Sequence, residues 1–251
     1  MGEFVLLAKK EIPSLDKIID EAWIQLGLKK SFIKNNFSQA LIIFEEKAND
    51  IYREYEKRAL IRLAKLWLNS QKEEIRKEFE KIVKVKGWEE FVGEASRIFM
   101  EFGVLVQNLE KDLGNMRKAR GGKSFEKIIL KLLKFIDIEC EFPKGKMSEE
   151  LGRIDIVIPS IDVAHKTPDK AVFLTCKRTL RERWKQEVPQ VRPNWRVYLL
   201  TIDNEITQNK AKEINKKGLI AFIKDELKEK FFKEMPWIRR LSDLPKEVER
   251  I

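Results

Sequence analysis

From Ser14 to about Leu113 the chain is almost free of glycine and proline, and its apolar residues recur at spacings of three and four. Ile51, Tyr55, Leu60, Leu63, Leu66 and Trp67 follow that rhythm, which places them on one face of a helix. Ser14 and Asp16 can cap a helix over Leu15–Leu26, since their side chains accept hydrogen bonds from the first free backbone amides. A long amphipathic helix is predicted over Phe37–Leu68, with further helices over Gln71–Ile82 and Glu89–Asp112. Residues 1–116 therefore read as a helical domain.

The pattern changes at Arg117-Lys-Ala-Arg-Gly-Gly-Lys-Ser124. Beyond a helix over Ser124–Phe135, short β-branched runs alternate with helical ones. Strands are predicted over Ile136–Phe142, Arg153–Pro159, Ala171–Cys176, Trp195–Ile202 and Leu219–Ile223. Helices are predicted over Thr179–Val188, ended by Pro189, and over Thr207–Lys217, closed by Gly218. The order αβββαβαβ predicts an α/β (α+β) domain over residues 117–251, a mixed sheet flanked by helices. Gly121-Gly-Lys-Ser124 imitates the end of a phosphate-binding loop, but Arg117 stands where that loop needs glycine and a helix precedes it instead of a strand. No nucleotide cofactor is expected. The two glycines read as a hinge between the halves.

Composition narrows the chemistry. The 251 residues carry 51 Lys plus Arg against 41 Asp plus Glu, a net charge of +10, and 43% are hydrophobic. No run approaches the roughly 18 apolar residues of a membrane span, and no export signal is apparent; a cytoplasmic protein is expected. One histidine, His165, and two cysteines, Cys140 and Cys176, supply neither a four-ligand zinc site, nor a disulfide framework, nor a histidine-based triad. Carboxylates and lysines are left to carry any chemistry. Through Gly121 there are 23 basic and 20 acidic residues, a net +3, and the remaining 130 carry 28 and 21, a net +7. The excess in the second half suits a polyanionic partner, although a highly charged surface with ion-pair networks also fits.

Two residues stand out in that half. Asp155 interrupts the apolar run Gly152-Arg-Ile-Asp-Ile-Val-Ile158, and aspartate is disfavoured in strands and costly to bury unpaired. The next predicted strand ends Phe173-Leu-Thr-Cys-Lys177, bringing a lysine toward the same sheet edge. Either residue alone fits a strand-end ion pair.

Asp155 and Lys177, with Glu126 on the helix before the sheet, resemble the active site of the PD-(D/E)XK nuclease superfamily, whose αβββαβ core matches the predicted order. The resemblance spans about Arg117 to Lys230. It implies Mg²⁺ held by Asp155 and Glu126, with Lys177 stabilising charge on a scissile phosphate. Lys177-Arg-Thr-Leu-Arg181-Glu182-Arg183 is similar to type II restriction endonucleases of the EcoRII and NgoMIV kind, in which an Arg-acid-Arg element reads CC:GG pairs. Arginine can take guanine O6 and N7 together while a carboxylate accepts from cytosine N4. Leu200-Thr-Ile-Asp-Asn-Glu-Ile206 also resembles these enzymes. Two departures stand against the pattern. Thr175 occupies the position two before the lysine, where the common motif has an acid. In the EcoRII kind that acid moves to the following helix, thirteen residues after the lysine, where this chain has Gln190. Glu187, one turn earlier, is the third metal ligand and catalytic acid expected instead.

The resemblance thus implies Mg²⁺-dependent cleavage of double-stranded DNA at a short palindrome containing CC/GG. Glu126, Asp155, Lys177 and Glu187 would be catalytic, and Arg181, Glu182 and Arg183 would read bases. Lys123 and Arg120 would contact phosphate. A palindrome implies a homodimer, with the helical half contributing to the interface or embracing DNA. A structure-selective nuclease of the same fold and a non-catalytic DNA-binding protein are the alternatives. His165 reads as a surface residue, and Cys176, Trp184 and Trp195 as packing.

Overall fold

A computed structural model describes residues 2–70, 73–74, 76–77, 80–81, 87–143, 151–181, 184–186 and 188–249. The chain forms two compact units, Met1–Ile18 with Ala48–Arg120, and Ile19–Lys47 with Gly121–Ile251. Ile19–Lys47 thus belongs with the residues that follow Arg120.

The first unit is helical. It contains the helix Gly2–Lys9 and parts of two long helices, Phe37–Ser70 and Trp88–Phe135. Val5, Ile51, Tyr52, Leu63, Leu105 and Leu109 are buried in it. Lys9 pairs with Asp112 at 2.8 Å, and Arg117 with Glu56 at 2.8 Å and Glu110 at 3.1 Å. Of the expected helix over Gln71–Ile82, residues 73–74, 76–77 and 80–81 are helical and the others lie outside the described residues. No helix among the described residues is long and apolar enough to cross a membrane.

Leu15–Leu26 is a helix whose Lys17 amide donates to the Ser14 hydroxyl at 3.3 Å, as the capping reading expects, and from Ile19 on it belongs to the second unit. Trp23 then packs on Phe44 and Phe135, with ring centroids at 5.6 and 4.7 Å. A five-stranded sheet follows in the order β1 (Ile156–Ile158), β2 (Val172–Cys176), β3 (Arg196–Leu200), β4 (Ile220–Ile223) and β5 (Ile238–Arg240). β1 is antiparallel to β2 and the remaining pairs are parallel. β1, β2 and most of β3 and β4 are buried along their length, as expected for a sheet covered on both faces. The mixed α/β architecture is as predicted.

Several elements differ from the sequence expectation. The helix Trp88–Phe135 runs unbroken through Gly121-Gly122, so no hinge interrupts the helix there. Each glycine costs a helix about 1 kcal/mol relative to alanine, which good helix formers on both sides offset. The expected strand Ile136–Phe142 is reduced to one bridge, Glu141 to Val157. Asp137 takes a positive φ of 68° as the helix ends, and the turn leaves little extended chain to pair. The predicted helix Thr179–Val188 is, among its described residues, a single 3₁₀ turn at Trp184–Gln186. Its first backbone groups are engaged elsewhere: the Leu180 amide donates to Asp203 at 2.7 Å, and the Arg178 carbonyl accepts from Thr201 at 3.3 Å. Short helices Ile161–Lys166, Asp225–Phe231 and Leu244–Val248, and strand β5, go beyond the expected elements.

Phe173, in the middle of β2, is fully buried and stacks on Trp195 with centroids 4.3 Å apart. Phe173→Ala is expected to lower the unfolding free energy by about 3–5 kcal/mol, read from the midpoint of a denaturant titration.

Candidate active site

Register in the sheet brings the chemistry together. Ile156 stands opposite Leu174 across the antiparallel β1–β2 pair, and the Asp155 amide donates to the Leu174 carbonyl at 2.8 Å. Asp155 thus lies one residue before β1, beside the residues where β2 ends. Its Oδ2 accepts from the Cys176 amide at 2.6 Å and, more weakly, from the Thr175 hydroxyl at 3.4 Å. Lys177 Nζ stands 3.9 Å from the same oxygen. Three consecutive residues therefore face one carboxylate oxygen. Lys177 is itself fixed where β2 leaves the sheet, its amide donating to the Leu200 carbonyl at 2.9 Å.

Glu126 reaches this pair from the Trp88–Phe135 helix. Burial first, and then the charge of Asp155, push its carboxyl up to about 7, against the opposing pull of Lys177 and Lys123. Burial also raises Asp155, opposed by Lys177, the Cys176 amide and the Thr175 hydroxyl. Two buried carboxylates, one of which raises the pKa of the other, in a site largely withdrawn from water, are a donor set suited to a hard divalent cation. Asp155 and Glu126 fit Mg²⁺ on these grounds. Among the described residues, no three His, Cys, Asp or Glu side chains form a metal-binding group. Glu187, the expected third ligand, lies outside the described residues, as do Glu182 and Arg183. Gln190 is exposed.

The other candidates fall into two groups. Lys123 is exposed three residues before Glu126 on the same helix, and Arg181 is exposed four residues after Lys177. Arg120 belongs to the first unit, where its guanidinium lies 3.8 Å from the centroid of the Tyr52 ring. His165 is exposed, and Trp184 and Cys176 are buried, as packing residues would be. Full burial pushes the Cys176 thiol well above the ordinary thiol range, which removes it as a nucleophile. Sequence reasoning assigned no role to Asp203, Thr201 or Glu45, all buried beside the segment that follows Lys177. The available signal for Asp203 was an acid just beyond an apolar strand, a weaker one than the acid within an apolar run that marked Asp155.

The chain is similar to several known proteins. A family model described as EcoRII C terminal matches residues 88–239. The type II restriction enzyme SsoII of Shigella sonnei is 30% identical over 118 residues, which are 43% of this chain and 38% of that enzyme. The match thus spans well under half of the relative's length. Metal-depleted Ecl18kI in complex with uncleaved DNA superposes with a TM-score of 0.76 at 20% identity, over 99% of this chain and 83% of that one. The PspGI complex with substrate DNA superposes at 0.63 and 22%, over 97% and 94%. At these identities the structures show a shared fold.

Glu126 takes up a proton on folding, because its carboxyl moves from 4.5 to about 7. Its stabilising contribution is fully present below about pH 4.5 and is lost as pH rises through 7. With EDTA present, the unfolding free energy should fall over that window, and Glu126→Gln should flatten the fall. An unchanged slope in the variant would contradict protonation at Glu126.

Proposed function

This chain belongs to the EcoRII C-terminal family, and from that premise we propose that it is a type II restriction endonuclease: a Mg²⁺-dependent enzyme hydrolysing both strands of duplex DNA at a short palindrome containing CC/GG. The observation that carries the reading is Lys177 Nζ at 3.9 Å from Asp155 Oδ2 at one sheet edge, with Glu126 on the preceding helix electrostatically coupled to both. The solved relatives hold DNA, which supports the same substrate class here.

Mg²⁺ bound by Asp155 and Glu126 would supply a Lewis acid against the negative charge of the phosphodiester. The chain's own residues do the rest. The β1–β2 pairing and the Cys176 amide hold Asp155 in one orientation. Lys177, only 21% exposed, presents an ammonium that orients the attacking water and neutralises charge growing on the phosphoryl oxygens. Water adds to phosphorus, a backbone P–O bond breaks, and the leaving oxygen takes a proton. Arg181, exposed and four residues further on, reads a guanine edge; Glu182 and Arg183 complete the reading element on sequence grounds. Lys123 contacts backbone phosphate. Glu187 is the third metal ligand on the same sequence grounds. A palindrome read once by each copy implies a homodimer, with residues 1–116 as its dimerising or DNA-embracing part.

A second reading rests on Gln190, a neutral amide where relatives of the EcoRII kind have an acid: a DNA-binding protein without catalysis. One experiment separates the two. Plasmid of known sequence is incubated with protein and Mg²⁺, and the ends are mapped. Discrete fragments are expected, abolished by EDTA and reduced about 100- to 1000-fold by Lys177→Ala. Binding without cleavage would favour the second reading, and cutting confined to branched DNA would favour a structure-selective nuclease. Arg181→Ala should lower discrimination between the mapped site and a site with one G·C pair exchanged by about 1–3 kcal/mol.

A further inference from the structure

The four residues after Lys177 link the proposed cutting residue to the proposed reading residue, Arg181, and they are held by a segment that neither role uses. Beyond the β2–β3 pairing, where the Lys177 amide donates to Leu200, the Arg178 carbonyl accepts from the Thr201 hydroxyl at 3.3 Å. The Leu180 amide donates to Asp203 Oδ2 at 2.7 Å. Asp203 is itself fixed. Its amide donates to the Thr201 hydroxyl at 3.1 Å, its Oδ1 accepts from the Glu205 amide at 2.9 Å, and Lys210 Nζ lies 3.9 Å from Oδ2. Its side chain is 8% exposed. Arg178 is tied from another side by Glu45, at 3.1 Å, whose carboxylate is 4% exposed. Arg178 to Arg181 and Ile202 to Glu205 line a cleft of about 750 Å³, so the link borders open space on one side, while Leu180 is buried in the core and these bonds fix the backbone on either side of it.

A buried carboxylate costs several kcal/mol unless its oxygens are satisfied, and here the satisfied oxygens belong to a bond across the link. We propose that Asp203 is a positioning residue for specificity: by holding the Leu180 amide it sets where Arg181 stands relative to Lys177, and so couples base reading to cleavage. This rests on the reading role of Arg181 proposed above. A displacement of about 1 Å in such a group is enough to cost on the order of 100-fold in rate.

The test uses the full-length protein and short duplexes carrying the site mapped from the plasmid digest, or that site with one G·C pair exchanged. The readout is the ratio of kcat/KM on the two duplexes. Asp203→Ala should narrow that ratio about 10- to 100-fold, while Ca²⁺ binding measured by calorimetry stays within twofold of wild type. Asp203→Asn, which keeps an acceptor for the Leu180 amide, should restore most of the ratio. Thr201→Val removes the hydroxyl that holds both Asp203 and Arg178, and serves as the second variant should Asp203→Ala not fold; it should narrow the ratio as well. In the double variant Asp203→Ala with Arg181→Ala, the ratio should be no narrower than with Arg181→Ala alone. If Arg181→Ala narrows the ratio and the folded Asp203→Ala or Thr201→Val variant does not, the positioning role is overturned. If Arg181→Ala leaves the ratio at the wild-type value, it is the reading role of Arg181 that fails, and the role of Asp203 falls with it.

Discussion

The hydrogen bond from the Cys176 amide to the Asp155 carboxylate, 2.6 Å long, ties the end of one strand to the start of its antiparallel neighbour. Without it the buried carboxylate would keep only the longer contacts from the Thr175 hydroxyl and the Lys177 ammonium. Removing a carboxylate from water costs several kcal/mol, while a hydrogen bond to a charged group contributes about 1.5–3 kcal/mol. The bond, the Thr175 hydroxyl and the Lys177 ammonium together offset part of that cost. They also fix which way the carboxylate faces. Placing donors from residues 175, 176 and 177 on one oxygen requires the antiparallel register of β1 on β2, and that register in turn requires the buried apolar faces of both strands.

Glu126 is less well compensated. Its carboxyl is driven up to about 7 by burial and by Asp155, so the fold tolerates a site that is electrostatically unfavourable when both acids are ionised. In the proposed reading, a cation held by both acids would relieve that strain. The parallel pairing of β2 with β3 then extends the site outward. The same strand end that delivers Lys177 passes, through residues held by Thr201 and Asp203, to the exposed Arg181.

Much of this was legible in the sequence. An acid inside an apolar strand marked Asp155, and a lysine closing the next apolar run marked Lys177, because burial makes such residues expensive without a purpose. The strands β2, β3 and β4 were visible from β-branched runs ended by turn residues, and the helices Leu15–Leu26 and Phe37–Ser70 from their apolar spacing. What periodicity could not give was the partner of each apolar face. Residues 19–47 read as more of the helical half, yet Trp23, Phe37 and Phe44 supply core to the second unit. Among the described residues expected to be helical after Thr179, only a 3₁₀ turn forms, and the Leu180 amide and the Arg178 carbonyl bond to side chains 23 residues later, tertiary contacts that local propensity does not encode. Asp203 was passed over because an acid after a strand is common, and only its buried bonds distinguish it.

Asp155 and Glu126 are proposed to form a cation site within the fold. Calorimetric titration of the protein with Mg²⁺, repeated on Asp155→Ala, tests it most directly. Saturable binding in the wild type below millimolar concentration, lost in the variant while the far-ultraviolet circular dichroism is unchanged, is the result predicted. Binding of equal affinity in both proteins, or none in either, would contradict it.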